Sequence, residues 1–234
     1  MRFFTVLGLF ILFSSTSLLA QNIQLHYDFG EDRKHATSTI EMFNPDKLGN
    51  TFFFVDMDYG ANDIEGVSLS YFELARVFKT EKMPFGVHAE YNGGFGQFKT
   101  PGGQSSYNIN DAWLAGIDYS MNAADFSKGI SLKGLFKHIR GKHDASFQLT
   151  AVWYMHFLDK KFTFSGFADF WKEDSDFDFD GKADAEFVFL TEPQIWFNFN
   201  KKFSIGTEIE LSNNFGGQEG FVVNPTLAVK WNIK

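Results

Sequence analysis

Residues 85–96 read FGVHAEYNGGFG. Phe85, Val87, Ala89, Tyr91, Gly93 and Phe95 alternate with Gly86, His88, Glu90, Asn92 and Gly94. Strict alternation marks a β-strand with two unlike faces, because successive side chains point to opposite sides. His88, Glu90 and Asn92 therefore stand in one polar stripe. Such a stripe is either a small catalytic or metal-ligating group or one wall of a larger polar interior.

The same period runs through the rest of the chain. NIQLHYDFG (22–30), SFQLTAVWYMHF (146–157), FSIGTEIELSN (203–213) and FVVNPTLAVKWNIK (221–234) all alternate. The pattern predicts twelve strands, at 22–31, 35–44, 50–59, 67–79, 85–96, 107–121, 130–140, 145–158, 162–172, 185–199, 203–214 and 221–233. Several are longer than the usual soluble strand of about 5–6 residues and match the roughly 9–11 residues of a tilted membrane-spanning strand. With the N-terminus inside, every second connection should be a short periplasmic turn. Asp159–Lys161, Lys201–Lys202, Thr80–Pro84 and Pro45–Gly49 fit, whereas Asn122–Gly129 is longer than a turn should be. Among the alternate connections, Gln97–Ser106 and Lys172–Asp184 are the longest. Pro193 falls inside the tenth strand; it cannot donate to a ladder, so a bulge is expected there.

Composition supports a membrane setting. Of 234 residues, 31 are Phe and 18% are aromatic, more large rings than one soluble core of this size accommodates. An outward apolar band in lipid has room for them. The first residues, MRFFTVLGLFILFSSTSLLAQ, read as a signal peptide over 1–20, leaving a single domain over 21–234. There is no cysteine, which excludes a disulfide framework. A net charge of −8 argues against nucleic acid as a partner. In lipid, only helices and closed barrels satisfy their backbone groups. The expected fold is therefore all-β: a twelve-stranded antiparallel transmembrane β-barrel in a Gram-negative outer membrane, exported through the Sec pathway. A secreted β-sandwich or lipid-binding barrel is the competing architecture. Aromatic load, strand length and turn asymmetry favour the barrel.

The segments IEMFNPDKLGNTFFFVDMDYG (40–60), SYFELARVF (70–78), FSGFADFWKED (164–174) and FLTEPQIWFNF (189–199) carry a family resemblance. The chain resembles the outer-membrane proteins related to the nucleoside-specific channel-forming (Tsx-type) porins, in a Bacteroidota-type branch. The resemblance implies a narrow twelve-stranded barrel that passes small solutes, nucleosides in the typical members. It transfers no binding residue one by one.

By strand parity Asp28, Asp56, Asp58, Glu73, Glu90, Asp118, Asp169, Glu192, Glu208 and Glu210 point inward, answered by Lys133, Lys137 and Lys230. The interior is then either a salt-bridged plug or an acidic pore that favours cations and neutral polar solutes. Phe52, Phe54, Tyr154, Phe167, Trp171 and Trp196 share that face. A base stacked on such a ring gains about 1–3 kcal/mol. The candidate constriction is Asp169, Trp171, Glu192, Gln194, Trp196 and Asn198, with His88, Glu90, Asn92, Glu208 and Glu210 in the same lumen. The loop DFDFDGKADAEF (176–187) offers Asp176, Asp178, Asp180 and Asp184 as calcium ligands, but a calcium loop's twelfth position wants a carboxylate and here holds Phe187. Apart from that candidate calcium, no cofactor is expected. His138 and His143 flank a basic turn. An outer-membrane hydrolase is the rival function; Ser146 with His156, or Ser165 with His88, would have to supply the nucleophile and base. Outer-membrane lipid and a small polar solute are the expected partners. Oligomeric state is not legible.

Overall fold

A computed structural model describes residues 21–142, 145–177 and 180–233. The expected signal peptide over 1–20, Asp178 and His143 lie outside these residues.

The strands are β1 (Gln21–Asp28), β2 (Ala36–Asp46), β3 (Gly49–Tyr59), β4 (Val67–Phe78), β5 (Gly86–Thr100), β6 (Gly103–Asn122), β7 (Lys128–Ile139), β8 (Ser146–Phe157), β9 (Phe162–Ser175), β10 (Asp184–Thr191), β11 (Gln194–Asn198), β12 (Phe203–Asn213) and β13 (Phe221–Asn232). All pairings are antiparallel, and β1 closes the sheet on β13 from Asn22↔Asn232 to Asp28↔Thr226. β10 and β11 both lie between β9 and β12, so they are two halves of one stave. The result is a closed twelve-stave barrel.

The break in the tenth stave differs from the expected bulge. Thr191 pairs with Leu211 and Ala168, and Gln194 pairs with Glu208 and Ser165, so the ladder resumes in register. No residue is inserted. Pro193 has no N–H to give, and the ladder simply lapses over Glu192 and Pro193. Glu192 N–H still reaches the Phe167 carbonyl at 3.2 Å, and Ile209 N–H reaches the Pro193 carbonyl at 3.1 Å.

A second correction concerns Gln97–Ser106, expected as a long loop. The strands run on through it. β5 has 15 residues and β6 has 20, turning at Pro101–Gly102. Beyond Ala112↔Ile139 β6 loses its β7 partner, so the tip is a two-stranded ribbon projecting from the rim. Gly96 permits it to lie flat: the Tyr107 ring covers Gly96, where a Cβ would meet ring atoms at 2.2 Å.

One face of each stave is apolar and exposed. Leu25, Trp113, Ile117, Phe136, Leu149, Leu227 and Trp231 all point out. So extensive an apolar exterior is unlike a soluble monomer and fits a lipid-facing band. Tyr91 and Trp113 pack there at 4.6 Å, with the Tyr91 hydroxyl donating to Asp111 at 2.8 Å. The other face is the polar interior, whose small apolar clusters (Ala112, Leu114, Leu135, Ile139 and Trp171, Val188, Leu190) sit among charged groups. The start of β1, the end of β13 and the connections at 47–48, 79–85, 123–127, 158–161 and 199–202 share one rim. The connections at 29–35, 60–66, 101–102, 140–145, 176–183 and 214–220 share the other.

Candidate functional site

The stripe His88–Glu90–Asn92 is one wall of the interior. His88 is fully buried, and its Nε2 lies 2.7 Å from Glu90 Oε2. On β1 the matching wall is Asn22, Gln24, His26 and Asp28, linked side chain to side chain: Gln24 donates to Asn22 at 2.9 Å, and His26 Nε2 lies 3.0 Å from Gln24 Oε1. Alternate side chains on one strand sit about 7 Å apart, close enough for long polar groups to bridge. Such runs brace the wall.

The walls differ in access. Many inward residues of β5 to β7 are buried, including His88, Glu90, Asn92, Leu114, Asp118 and Lys137, while Ser131 and Lys133 on β7 keep accessible surface. On β2 to β4, Ala75 and Val77 toward the end of β4 are buried, whereas Thr37, Thr39, Glu41, Phe54, Asp56, Asp58, Tyr71 and Glu73 keep accessible surface. Glu192, Gln194, Glu208 and Asp169 do the same on the opposite side. An accessible track thus follows β2–β4, lined by carboxylates, hydroxyls and rings. Thr37 and Thr39 donate to Asp58 and Asp56 at 2.6 and 2.5 Å and hold those carboxylates in place. Phe52, Phe54 and Tyr71 form a ladder of rings 5.9–6.0 Å apart along it.

The two tryptophans of the candidate constriction are placed differently. Trp196 is 0% exposed and Trp171 is 5% exposed. Lys230 Nζ stands 3.8 Å over the Trp196 ring, and Lys137 Nζ stands 3.9 Å over Trp171. Their indole N–H groups are also taken, by Gln194 and Glu173. These rings offer no open face to a solute, because an ammonium over an aromatic quadrupole already occupies it. Glu192 lies within electrostatic reach of Glu208, Glu210 and Asp56, so the carboxylates from β3, the tenth stave and β12 converge. Gln194 donates to Glu208, and Asn198 accepts from Ser204 at 2.7 Å.

Parity alone missed what the rim contributes. Arg33, in the connection at 29–35, donates to both oxygens of Glu210 at 2.9 and 2.7 Å and to Asp28 at 3.3 Å. His35 Nε2 lies 3.5 Å from Asp58. The hydrogen bond to Asp58 raises the His35 pKa above its ordinary value, with burial opposing. A raised histidine pKa stabilises the fold below the unfolded value of about 6.5 and loses that contribution as pH rises through the folded value. Stability measured by urea unfolding should therefore decline above about pH 6.5. His35→Gln should flatten that decline; an unchanged slope would show that His35 does not carry it. Glu41, Glu173 and Glu186 join the interior acids as well. Asn22 donates to Glu41 at 2.8 Å, and Lys142 pairs with Glu173 at 3.3 Å.

The acidic loop is occupied by its own contacts. Asp176 accepts from the Asp180 and Gly181 N–H groups at 3.2 and 2.9 Å. Lys182 donates to Asp180 at 2.8 Å and holds its carboxyl below the ordinary range. Among the described residues no three His, Cys, Asp or Glu side chains are grouped to hold a metal ion. The hydrolase pairs are not assembled among those residues either. His156 Nδ1 lies 2.9 Å from Thr163, His88 is committed to Glu90, and Ser146 donates to the Phe147 carbonyl.

The barrel is similar to the NanC porin, with 8% identity and a TM-score of 0.57, covering 91% of this chain and 99% of that one. It is also similar to the outer membrane protein Omp33 of Acinetobacter baumannii, with 14% identity and a TM-score of 0.43, covering 92% and 97%. The first likeness is one of fold. No curated protein matches the chain. Residues 20–233 match a family described as Domain of unknown function (DUF5020), and the chain belongs to that family.

Proposed function

We propose that this chain is an outer-membrane channel for passive diffusion of small polar solutes. After removal of segment 1–20 and export through the Sec pathway, the barrel stands in the outer membrane of a Gram-negative bacterium. Its chain ends face the periplasm and the connection at 29–35 faces outward. The observation that carries this reading is the accessible, acid-lined track along β2–β4 inside an apolar-coated closed barrel. The likeness to a protein named a porin supports it. Carboxylates along a pore attract cations, pass neutral polar solutes and repel anions.

The nucleoside selectivity implied by the Tsx-type resemblance would fall to Phe52, Phe54 and Tyr71, the rings with accessible faces, and not to Trp171 or Trp196. The alternative, a closed structural barrel, predicts no conductance.

Reconstitution in a planar bilayer separates the two. Under a potassium chloride gradient the reversal potential should report cation preference. Asp56→Asn combined with Glu192→Gln should move the cation-to-anion permeability ratio at least severalfold toward unity. A folded barrel with no conductance would remove the channel reading.

A further inference from the structure

Midway along the lumen, carboxylates and lysines face one another without all pairing. Glu73 on β4, Glu90 on β5 and Asp169 on β9 lie within electrostatic reach of Lys133 on β7. β4 and β9 stand on nearly opposite walls of the twelve-stave ring, so this belt crosses the lumen. Lys137 also belongs to it, but its ammonium is committed to Gln148 Oε1 at 2.8 Å and to the Trp171 ring. Lys133 is different. Among the described residues it makes no hydrogen bond and no ion pair within 4.0 Å. Its cross-strand neighbour Asp118 is turned instead to Ser120 and Ser131.

The walls on either side of Lys133 have acceptors to spare. Glu73 is held by one donor, the Tyr71 hydroxyl at 2.7 Å, and Asp169 by the Thr150 hydroxyl. Asn92 stands directly across the ladder from Glu73 and beside Glu90. It is 6% exposed, and its Oδ1 has no donor at all. A buried acceptor without a donor is costly unless something supplies one. So β4, β5 and β9 carry acceptors short of donors, and β7, between β5 and β9, carries an ammonium with no carboxylate within 4.0 Å.

We infer that this belt binds a small zwitterion of the amino-acid or short-peptide class, its ammonium taken by Glu73, Asn92 and Asp169 and its carboxylate by Lys133. A solute with only a carboxylate meets three acids and one uncommitted lysine. A solute with only an amine leaves Lys133 unmatched. A zwitterion answers both, and its two charges sit on one molecule of lumen size. The inference rests on the channel reading above and names its substrate class.

The test is flux into liposomes carrying the refolded protein. Dialanine is compared with a neutral polyol, a monoamine, a monocarboxylate and a nucleoside of similar size. Folding is confirmed by the gel shift between heated and unheated protein. Wild type should pass dialanine at least several times faster than the polyol. Lys133→Gln and Glu73→Gln should each bring the ratio of dialanine to polyol flux down toward unity. Equal dialanine and polyol rates in wild type would overturn the zwitterion site and leave the channel standing. So would a nucleoside or monoamine outpacing dialanine, or a Lys133→Gln variant without effect. No flux of any solute through a folded barrel would overturn both readings.

Discussion

Trp196→Ala is expected to lower the unfolding free energy of the barrel by about 3–5 kcal/mol, the range for deleting a buried tryptophan. Trp196 is 0% exposed, and three independent contacts hold it. Its N–H donates to Gln194 at 2.9 Å, His26 meets its edge at 6.0 Å, and Lys230 covers its face. Gly206 lies beneath it, where a Cβ would come within 2.6 Å of the ring. The barrel has no room on that side to collapse into the hole. Truncation also strips Lys230 of its cation–π partner, an interaction worth up to roughly 2 kcal/mol when desolvated. Urea unfolding in detergent micelles measures the loss. Trp231→Ala is the control, because Trp231 points to lipid and is 52% exposed; it should cost much less. A Trp196→Ala loss below about 1 kcal/mol, well under the truncation range, would mean that the ring is not a packing centre. A double-mutant cycle with Lys230→Met isolates the ring–ammonium part.

That tryptophan marks where reading the sequence stops being sufficient. The staves were legible because period-2 alternation is a local property, and every stave obeys it. The inward set was legible for the same reason: Asp28, Glu90, Asp169, Glu208 and Glu210 all fall where parity puts them. Parity says which side of a wall a ring is on, but not what stands over it. Lys230 reaches Trp196, and Lys137 reaches Trp171, each from two staves away, and only the closed register sets those distances. The acidic loop reads as calcium-like from spacing; what spacing does not give is that the Asp176 carboxylate accepts from the Asp180 and Gly181 N–H groups.

The misread segment at 97–106 has a simple cause. QFKTPGGQSS is rich in turn formers and polar residues, and those are the usual marks of a loop. A ribbon that projects past its neighbours needs no apolar face, since neither lipid nor core touches it. Gly96 under Tyr107 is the sign of pairing that was present in the sequence: a strand glycine shielded by a cross-strand ring. Pro193 was legible as a defect but not as to kind. A proline lacking its N–H leaves two outcomes, an inserted residue or a lapse, and the partners on β9 and β12 decide between them.

Arg33→Gln should have the largest effect on conduction of any single change at the outer rim. Arg33 comes from a connection, where neither parity nor periodicity gives a side chain a direction. It is nevertheless the one cation that bridges Asp28 and Glu210, which are 4% and 7% exposed. Glutamine keeps a donor but cannot span both carboxylates or neutralise either. Glu210 would retain Asn224 at 3.1 Å and Ser212 at 3.2 Å, and Asp28 would retain the Gly30 N–H at 2.7 Å. Removing one partner from a fully buried pair costs about 3–5 kcal/mol. Arg33 is 35% exposed, so solvent screening reduces the expected stability loss to about 1–3 kcal/mol. The electrical consequence is larger. The mouth loses this positive charge while Asp28, Asp58 and Glu210 remain, so local cation concentration there rises. Single-channel conductance at low salt should increase severalfold, cation preference should sharpen, and both effects should fade as salt screens the mouth. Arg33→Lys should restore charge but not the two-pronged geometry, returning selectivity toward wild type with only part of the stability. If Arg33→Gln left low-salt conductance unchanged while the barrel stayed folded, the connection at 29–35 would be a structural strap with no hold over the ions that enter.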